Sequence, residues 1–379
     1  MRMTSKKNLL AVTLLAAVAA GVRAEGPKIS GFVDVGYNYN LQNQTANTYR
    51  AYDDKANTIT LQNAKIGMEG VLKDNVGYKV DVMYGYDATK TQSSGFDQTV
   101  STNPSKNQVD FEQAYLNFVC PITGANFTLG KFVSPFGAET VEAKDDYNIS
   151  RGLLFQYTVP TTHTGLKADK GLMDGKITGT IGLVNGWDNL QDNNKSKTGI
   201  AQVGTTILPK TSITVGGSYG AEQNPSTTED PRSTQGNGRS LLDAIVKVTP
   251  IDKLTLIANY DKGAEKFYEY DYADDVTTDN KKVTAQYSGL GLHANYQLTD
   301  LLSVAGRWEE FRDDGKNTNK TGVEQTLHSE TVTVQAKKDS IIYRLEYRAD
   351  QSSQYSFVNS DGMKVKSQGT VGAQVIVTF

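Results

Sequence analysis

The chain has 379 residues, a formal charge of −3, 35 glycines, 20 tyrosines, nine prolines and one cysteine. Such mild acidity argues against nucleic acid as a partner, which would want a clustered basic face. The lone Cys120 cannot form an intramolecular disulfide, so no cystine framework holds the chain together.

Read from the start, Arg2, Lys6 and Lys7 form a basic head before a mostly apolar stretch from Leu9 to Val22. Val22-Arg23-Ala24 offers small residues where a signal peptidase reads, so residues 1–24 are expected to be a removed Sec-type secretory signal and residues 25–379 the mature domain. The apolar stretch is too short for a helix to cross about 30 Å of hydrocarbon, which disfavours the alternative of a retained anchor. Removing the signal leaves 35 basic residues against 42 acidic ones. No uninterrupted apolar run beyond Ala24 approaches the roughly 18 residues of a helical span.

After Ala24 the pattern is period two. Val33, Val35, Tyr37, Tyr39 and Leu41 share one face, while Asp34, Asn38 and Asn40 take the other. Tyr78, Val80, Val82, Tyr84 and Tyr86 repeat this, as do Ile341, Tyr343, Leu345 and Tyr347 opposite Arg344, Glu346 and Arg348. Successive strand side chains point to opposite sides, so one face is apolar and the other, carrying charges in a row, sees water. About 16 such segments begin near residues 29, 58, 76, 109, 125, 161, 176, 198, 211, 240, 253, 284, 301, 328, 340 and 366.

The connections alternate in length. Lys73-Asp74-Asn75, Pro121 to Gly124, Met173-Asp174-Gly175, Pro209-Lys210, Pro250-Ile251-Asp252, Leu298-Thr299-Asp300 and Lys337-Lys338-Asp339 are short and carry hairpin residues. Those between them are long and polar. All short turns therefore fall at one end, the pattern of an outer-membrane barrel with short periplasmic turns and long extracellular loops. A soluble β-sandwich would explain the alternation but not the turn lengths. In lipid an open sheet edge is prohibitive, so the first strand must pair with the last. Tyr37, Tyr39, Tyr84, Tyr86, Tyr260, Tyr296 and Trp308 sit towards strand ends, where aromatic girdles belong.

Near 16 strands, such barrels enclose water rather than side chains alone. Lys65 with Glu69, Lys79 with Asp81, Asp243 with Lys247, and Arg307 with Glu309 fall on inward positions. Arg307, Glu309, Arg344, Glu346 and Arg348 are the leading candidates for a charged pore wall that filters solutes. The 134–160 connection is unusually apolar for a loop in bulk water, with Phe136, Leu153, Leu154 and Phe155. It is expected to fold into the barrel as a constriction with Glu139, Arg151 and His163 at the opening, or else to pack over the mouth as a lid.

The run Gly130-Lys131-Phe132-Val133-Ser134-Pro135-Phe136-Gly137-Ala138-Glu139 is the most distinctive. Asn148 to Phe155, Pro160 to Gly165 and Val184-Asn185-Gly186-Trp187-Asp188 follow it. Together with Ile29 to Asp34 and the terminal aromatic residue, these resemble the OmpL-like β-barrel porin family, and Lys131 joins the pore candidates. The resemblance implies a channel in the outer membrane of a Gram-negative bacterium, in contact with lipid and lipopolysaccharide. It also implies a closing strand read by the barrel-assembly machinery, carried here by Val375, Val377 and Phe379. Likeness to 16-stranded porins further suggests a homotrimer.

Enzyme constellations are missing. His163, His293 and His328 show no HExxH or Cys–His metal spacing, and there is no G-x-S-x-G elbow or P-loop. A hydrolase built on the inward His293 is the remaining enzymatic option. Asp271, Asp274, Asp275, Asp313 and Asp314 could bridge divalent cations to lipopolysaccharide, although solvated loop acids are commoner. The expected function is passive diffusion of small hydrophilic solutes, with no cofactor and no catalytic step. The alternative is an adhesin or receptor acting through its long loops.

Overall fold

A computed structural model describes residues 26–72, 76–93, 108–222, 238–269, 281–316 and 320–379. The expected signal, the turn Lys73-Asp74-Asn75, and Asp271, Asp274 and Asp275 lie outside the described residues.

Sixteen strands close into one antiparallel barrel. They are β1 Lys28–Asn40, β2 Thr58–Val71, β3 Val76–Tyr84, β4 Val109–Val119, β5 Asn126–Val133, β6 Thr162–Leu172, β7 Ile177–Val184 and β8 Thr198–Thr205. The ring continues through β9 Thr211–Ala221, β10 Gly238–Ile251, β11 Leu254–Glu269, β12 Lys281–Gln297, β13 Leu302–Asp314, β14 Glu324–Lys338, β15 Ile341–Ser352 and β18 Ser367–Thr378. The two-residue strands β16 Phe357–Val358 and β17 Lys364–Val365 pair only with each other, in the connection before β18.

Thirteen of the barrel strands begin within one residue of where the alternation places them. The other three, β10, β12 and β14, start two to four residues earlier. All three begin at the long-loop end with polar stretches such as Glu324-Gln325-Thr326, which carry the ladder beyond the apolar belt. Alternation reports the lipid-facing part of a strand, not its full length.

Burial is inverted relative to a soluble protein. In β1, Asp34, Asn38 and Asn40 are buried while Val33, Val35, Tyr37 and Tyr39 are exposed. Apolar side chains meet lipid and polar ones face inwards, as a membrane barrel requires. Tyr84, Tyr260 and Tyr296 are likewise exposed, as the girdle reading expects. Tyr86 and Trp308 are only half-exposed; Tyr86 follows β3 and its hydroxyl donates to Asp54 Oδ1 at 2.5 Å, because the strand has already ended.

The seam pairs β1 with β18, setting Val35 opposite Val375 and Val33 opposite Val377. Gly31 and Phe379 exchange two main-chain hydrogen bonds of 2.9 and 3.0 Å. A Cβ on Gly31 would come within 2.6 Å of the Phe379 ring, so glycine makes room for the closing aromatic. Around the ring, β5 and β6 lie eight positions from β13 and β14, on opposite walls.

Candidate functional site

The connection from β5 to β6, residues 134–161, does not stay at the mouth. It leaves β5 after Val133, three residues beyond Gly130, whose φ of +136° is open to glycine but strained for other residues. Phe136 and Val159 then pack with Phe132, Val184, Ile200 and Leu241, seating both ends of the loop against β5, β7, β8 and β10. A single turn at Ala143–Asp145 and a short helix at Leu153–Tyr157 make up its middle.

That middle crosses the lumen and docks on β13, β14 and β15. Leu153 and Tyr157 join Tyr287, Phe311 and Leu327 in an apolar cluster inside the barrel. Gly289 gives Leu154 its seat, since a Cβ there would lie 2.7 Å from Leu154 Cδ1. The first amides of the helix are orphan donors with no carbonyl partner in the helix. Glu309 accepts those of Leu153 and Leu154 at 3.0 and 3.1 Å, and Glu139 accepts that of Gly152 at 2.6 Å.

The rest of the charged row engages loop main chain in the same way. Arg307 donates to the Ser150 carbonyl at 2.6 Å and pairs with Glu139 at 2.5 Å and Glu309 at 3.1 Å. Arg344 donates to the carbonyls of Ala143 and Asp146 at 2.7 and 2.6 Å. Glu346 accepts the amides of Ile149 and Ser150 at 2.5 and 3.0 Å. Arg348 donates to the Arg151 carbonyl at 2.7 Å. None of these five wall residues is more than 6% exposed. The structure therefore places the residues singled out as a charged pore wall between the wall and the loop. Charge-assisted bonds of this kind are about twice as strong as neutral ones.

Within the loop, Arg151 pairs with Asp146 at 3.1 Å, donates to the carbonyls of Thr140, Val141 and Ile149, and lies over the Tyr52 ring. It holds the loop's own shape. Burial pushes the Asp146 carboxyl up to about 7, against the pull of Arg151. At Glu139 burial acts in the same direction, but the Arg307 guanidinium outweighs it and leaves that carboxyl below its ordinary value. His163 is buried between Phe132 and Phe136, with Nδ1 3.1 Å from the Gly186 carbonyl oxygen, so it sits behind the loop's root rather than at an opening.

On the β2–β4 wall, Lys65 lies among Asp81 at 3.0 Å, Glu112 at 2.6 Å and the loop's Glu142. These three carboxylates are spaced as a metal site could be, but the lysine ammonium already contacts each of them. Glu69, expected beside Lys65, instead meets Lys28 at 3.3 Å and Lys79 at 3.9 Å near the short-turn end. Lys131 pairs with Asp110 at 3.1 Å. Lys79 and Asp81 pair at 3.7 Å, whereas Asp243 bonds with Asn259 and leaves Lys247 exposed.

Sequence reasoning missed a second segment, residues 41–57. Arg50 is buried there against Asp53 at 2.5 Å and Asp350 at 2.6 Å, and Tyr52 packs on Phe155 of the loop. Asp313 and Asp314 serve local turns, accepting from Thr321 and Lys316 respectively. The inward face from β6 to β9 differs in kind. Lys167, Asp169, Thr180, Gln202, Thr214 and Ser218 are only partly buried.

A lumen crossed by a loop rooted between β5 and β6 coincides with a sequence match to the family described as "Putative beta-barrel porin-2, OmpL-like" over residues 26–379. The chain belongs to this porin family. No curated protein sequence matches this chain. Solved outer-membrane proteins share its fold at low identity. The channel DcaP of Acinetobacter baumannii matches at 12% identity and a TM-score of 0.62, covering 95% of this chain and 99% of that one. OmpT of Vibrio cholerae, in a trimer form, matches at 13% and 0.59, covering 93% and 99%. An anion-selective porin from Comamonas acidovorans matches at 10% and 0.57, covering 93% and 99%. The protein is thus an outer-membrane β-barrel porin, of a family whose members are typically non-enzymatic channels.

Proposed function

We propose that this porin conducts small hydrophilic solutes by passive diffusion, with residues 134–161 as its constriction. The observation that carries this reading is the clamping of that loop across the lumen by Arg307, Glu309, Arg344, Glu346 and Arg348. A loop held by so many charge-assisted bonds is a fixed partition, which sieves by size without a moving part. On the clamped side the wall charges are no more than 6% exposed. The route runs past the partly buried β6–β9 face, where Lys167, Asp169, Thr180 and Gln202 offer neutral and charged hydrogen-bonding groups. Purified protein reconstituted in a planar bilayer should open discrete, ohmic channels. Protein that inserts and opens none removes the diffusion reading.

In the same proposal residues 1–24 direct Sec-type export, and the barrel assembles as a homotrimer, as OmpT of Vibrio cholerae does in its trimer form. Lipid and lipopolysaccharide surround the apolar belt. Val375 and Val377 on the outer face of β18, with Phe379 just beyond its end, are what the assembly machinery reads. Truncating Phe379 should leave most of the chain uninserted, measured as the loss of heat-modifiable barrel in outer-membrane fractions. Undiminished insertion would remove that role.

A further inference from the structure

Inside the long-loop mouth, two aromatic rings converge on one ammonium group. Lys320, on the connection from β13 to β14, places Nζ 4.2 Å from the centroid of Tyr287 and 4.9 Å from that of Trp187. The same nitrogen donates to the main-chain carbonyl of Tyr157, at the end of the loop helix. Both ring distances are within the roughly 6 Å over which an aromatic face attracts a cation. Among the described residues, no carboxylate reaches Lys320 at ion-pair distance.

The three parts come from three separate places. Trp187 follows β7, Tyr287 lies in β12, and Tyr157 closes the helix that crosses the lumen. Each is held independently of Lys320. The Trp187 amide donates to Glu222 at 2.7 Å, and its ring is stacked by Arg239, which Glu265 fixes at 3.0 Å. Tyr287 packs on Phe311 with ring centroids 6.4 Å apart. The box therefore stands without its occupant.

We propose that Trp187, Tyr287 and the Tyr157 carbonyl form a recognition box for the ammonium group of small organic amines, with Lys320 as its resident, displaceable occupant. The proposal deepens the channel reading by naming a solute class, and so rests on it for its biological sense. Burial opposes a cation here, while the carboxylates around the box favour one. Asp188, Glu222, Glu265 and Asp313 outnumber Arg239 and Lys320 around the box, a local excess that raises cation concentration at the entrance. Burial, with Arg239 nearby, pushes the Lys320 ammonium down to about 7, so the resident cation is held weakly. A tethered occupant competes at high effective concentration, which weakens the apparent affinity for any free amine.

Binding can be read without conduction. The chain has two tryptophans, so a Trp308→Phe background leaves Trp187 as the only tryptophan. Its fluorescence is then titrated with 1,5-diaminopentane in detergent, with 1,5-pentanediol as the uncharged control. Lys320→Met and Lys320→Gln should each tighten diamine binding about tenfold, as removal of a competing occupant requires. Tyr287→Phe in the Lys320→Met background should keep the affinity, and Tyr287→Ala should lose most of it. No saturable response in either Lys320 variant, an equal response to the diol, or indifference to Tyr287→Ala overturns the box and makes Lys320 a simple latch. A diamine that binds to protein conducting nothing would retain the box and discard the channel. Conduction without binding would do the reverse.

Discussion

Deleting residues 138–150 should raise single-channel conductance about twofold or more, since a barrel of this strand number is wide enough for an aqueous channel once unobstructed. The deletion removes Glu139, the turn at Ala143–Asp145 and the amides held by Glu346, while keeping Phe136 and Val159 at the loop's root. The wall should persist, because the contacts closing the barrel are main-chain ladders between neighbouring strands. Size exclusion should relax in parallel, measured as faster uptake of larger neutral sugars by liposomes. Unchanged conductance and unchanged exclusion would mean that the loop does not set the constriction.

The second large effect concerns one side chain of the clamp. In Glu346→Ala, the Ile149 and Ser150 amides and the Thr333 hydroxyl lose their acceptor. The arginines of the row also lose a neighbouring negative charge while staying buried. Breaking one partner of a buried ionic network costs about 3–5 kcal/mol, and here that cost falls on loop docking. The expected result is strongly accelerated hydrogen exchange at Ile149 and Ser150 and a noisier open channel. The thermal midpoint of the barrel should hardly move, because no ladder bond is lost. Amides that exchange as slowly as in the parent would show that Glu346 does not anchor the loop.

The architecture was legible because a lipid-facing strand obeys a strict local rule. Val33, Val35, Tyr37 and Tyr39 must all be apolar, and no distant contact can excuse an exception. What fills the interior obeys no such rule. Arg344 and Glu346 were placed correctly on the inward face, yet alternation cannot distinguish a charge facing water from one facing a loop carbonyl. The apolar content of residues 134–160 did signal entry into the barrel. The segment 41–57 gave no such signal, since Arg50 and Asp53 look like solvated loop charges until Asp350 is brought beside them by a fold that joins chain ends. Lys65 taught the same lesson at shorter range. Its expected partner was Glu69 on its own strand, but cross-strand and loop neighbours, Asp81, Glu112 and Glu142, took that place.

The loop's path has a mechanical side. A closed ring of hydrogen-bonded strands resists stretching around its perimeter, because every ladder bond would have to lengthen. The same ring can be squashed towards an oval without breaking any of them. By tying β5 and β6 to β13–β15, residues 134–161 act as a strut across one diameter, set by arginine and glutamate at the far end. Lateral pressure from the surrounding membrane is then carried from wall to wall. The bore is expected to keep its width in a membrane whose packing changes.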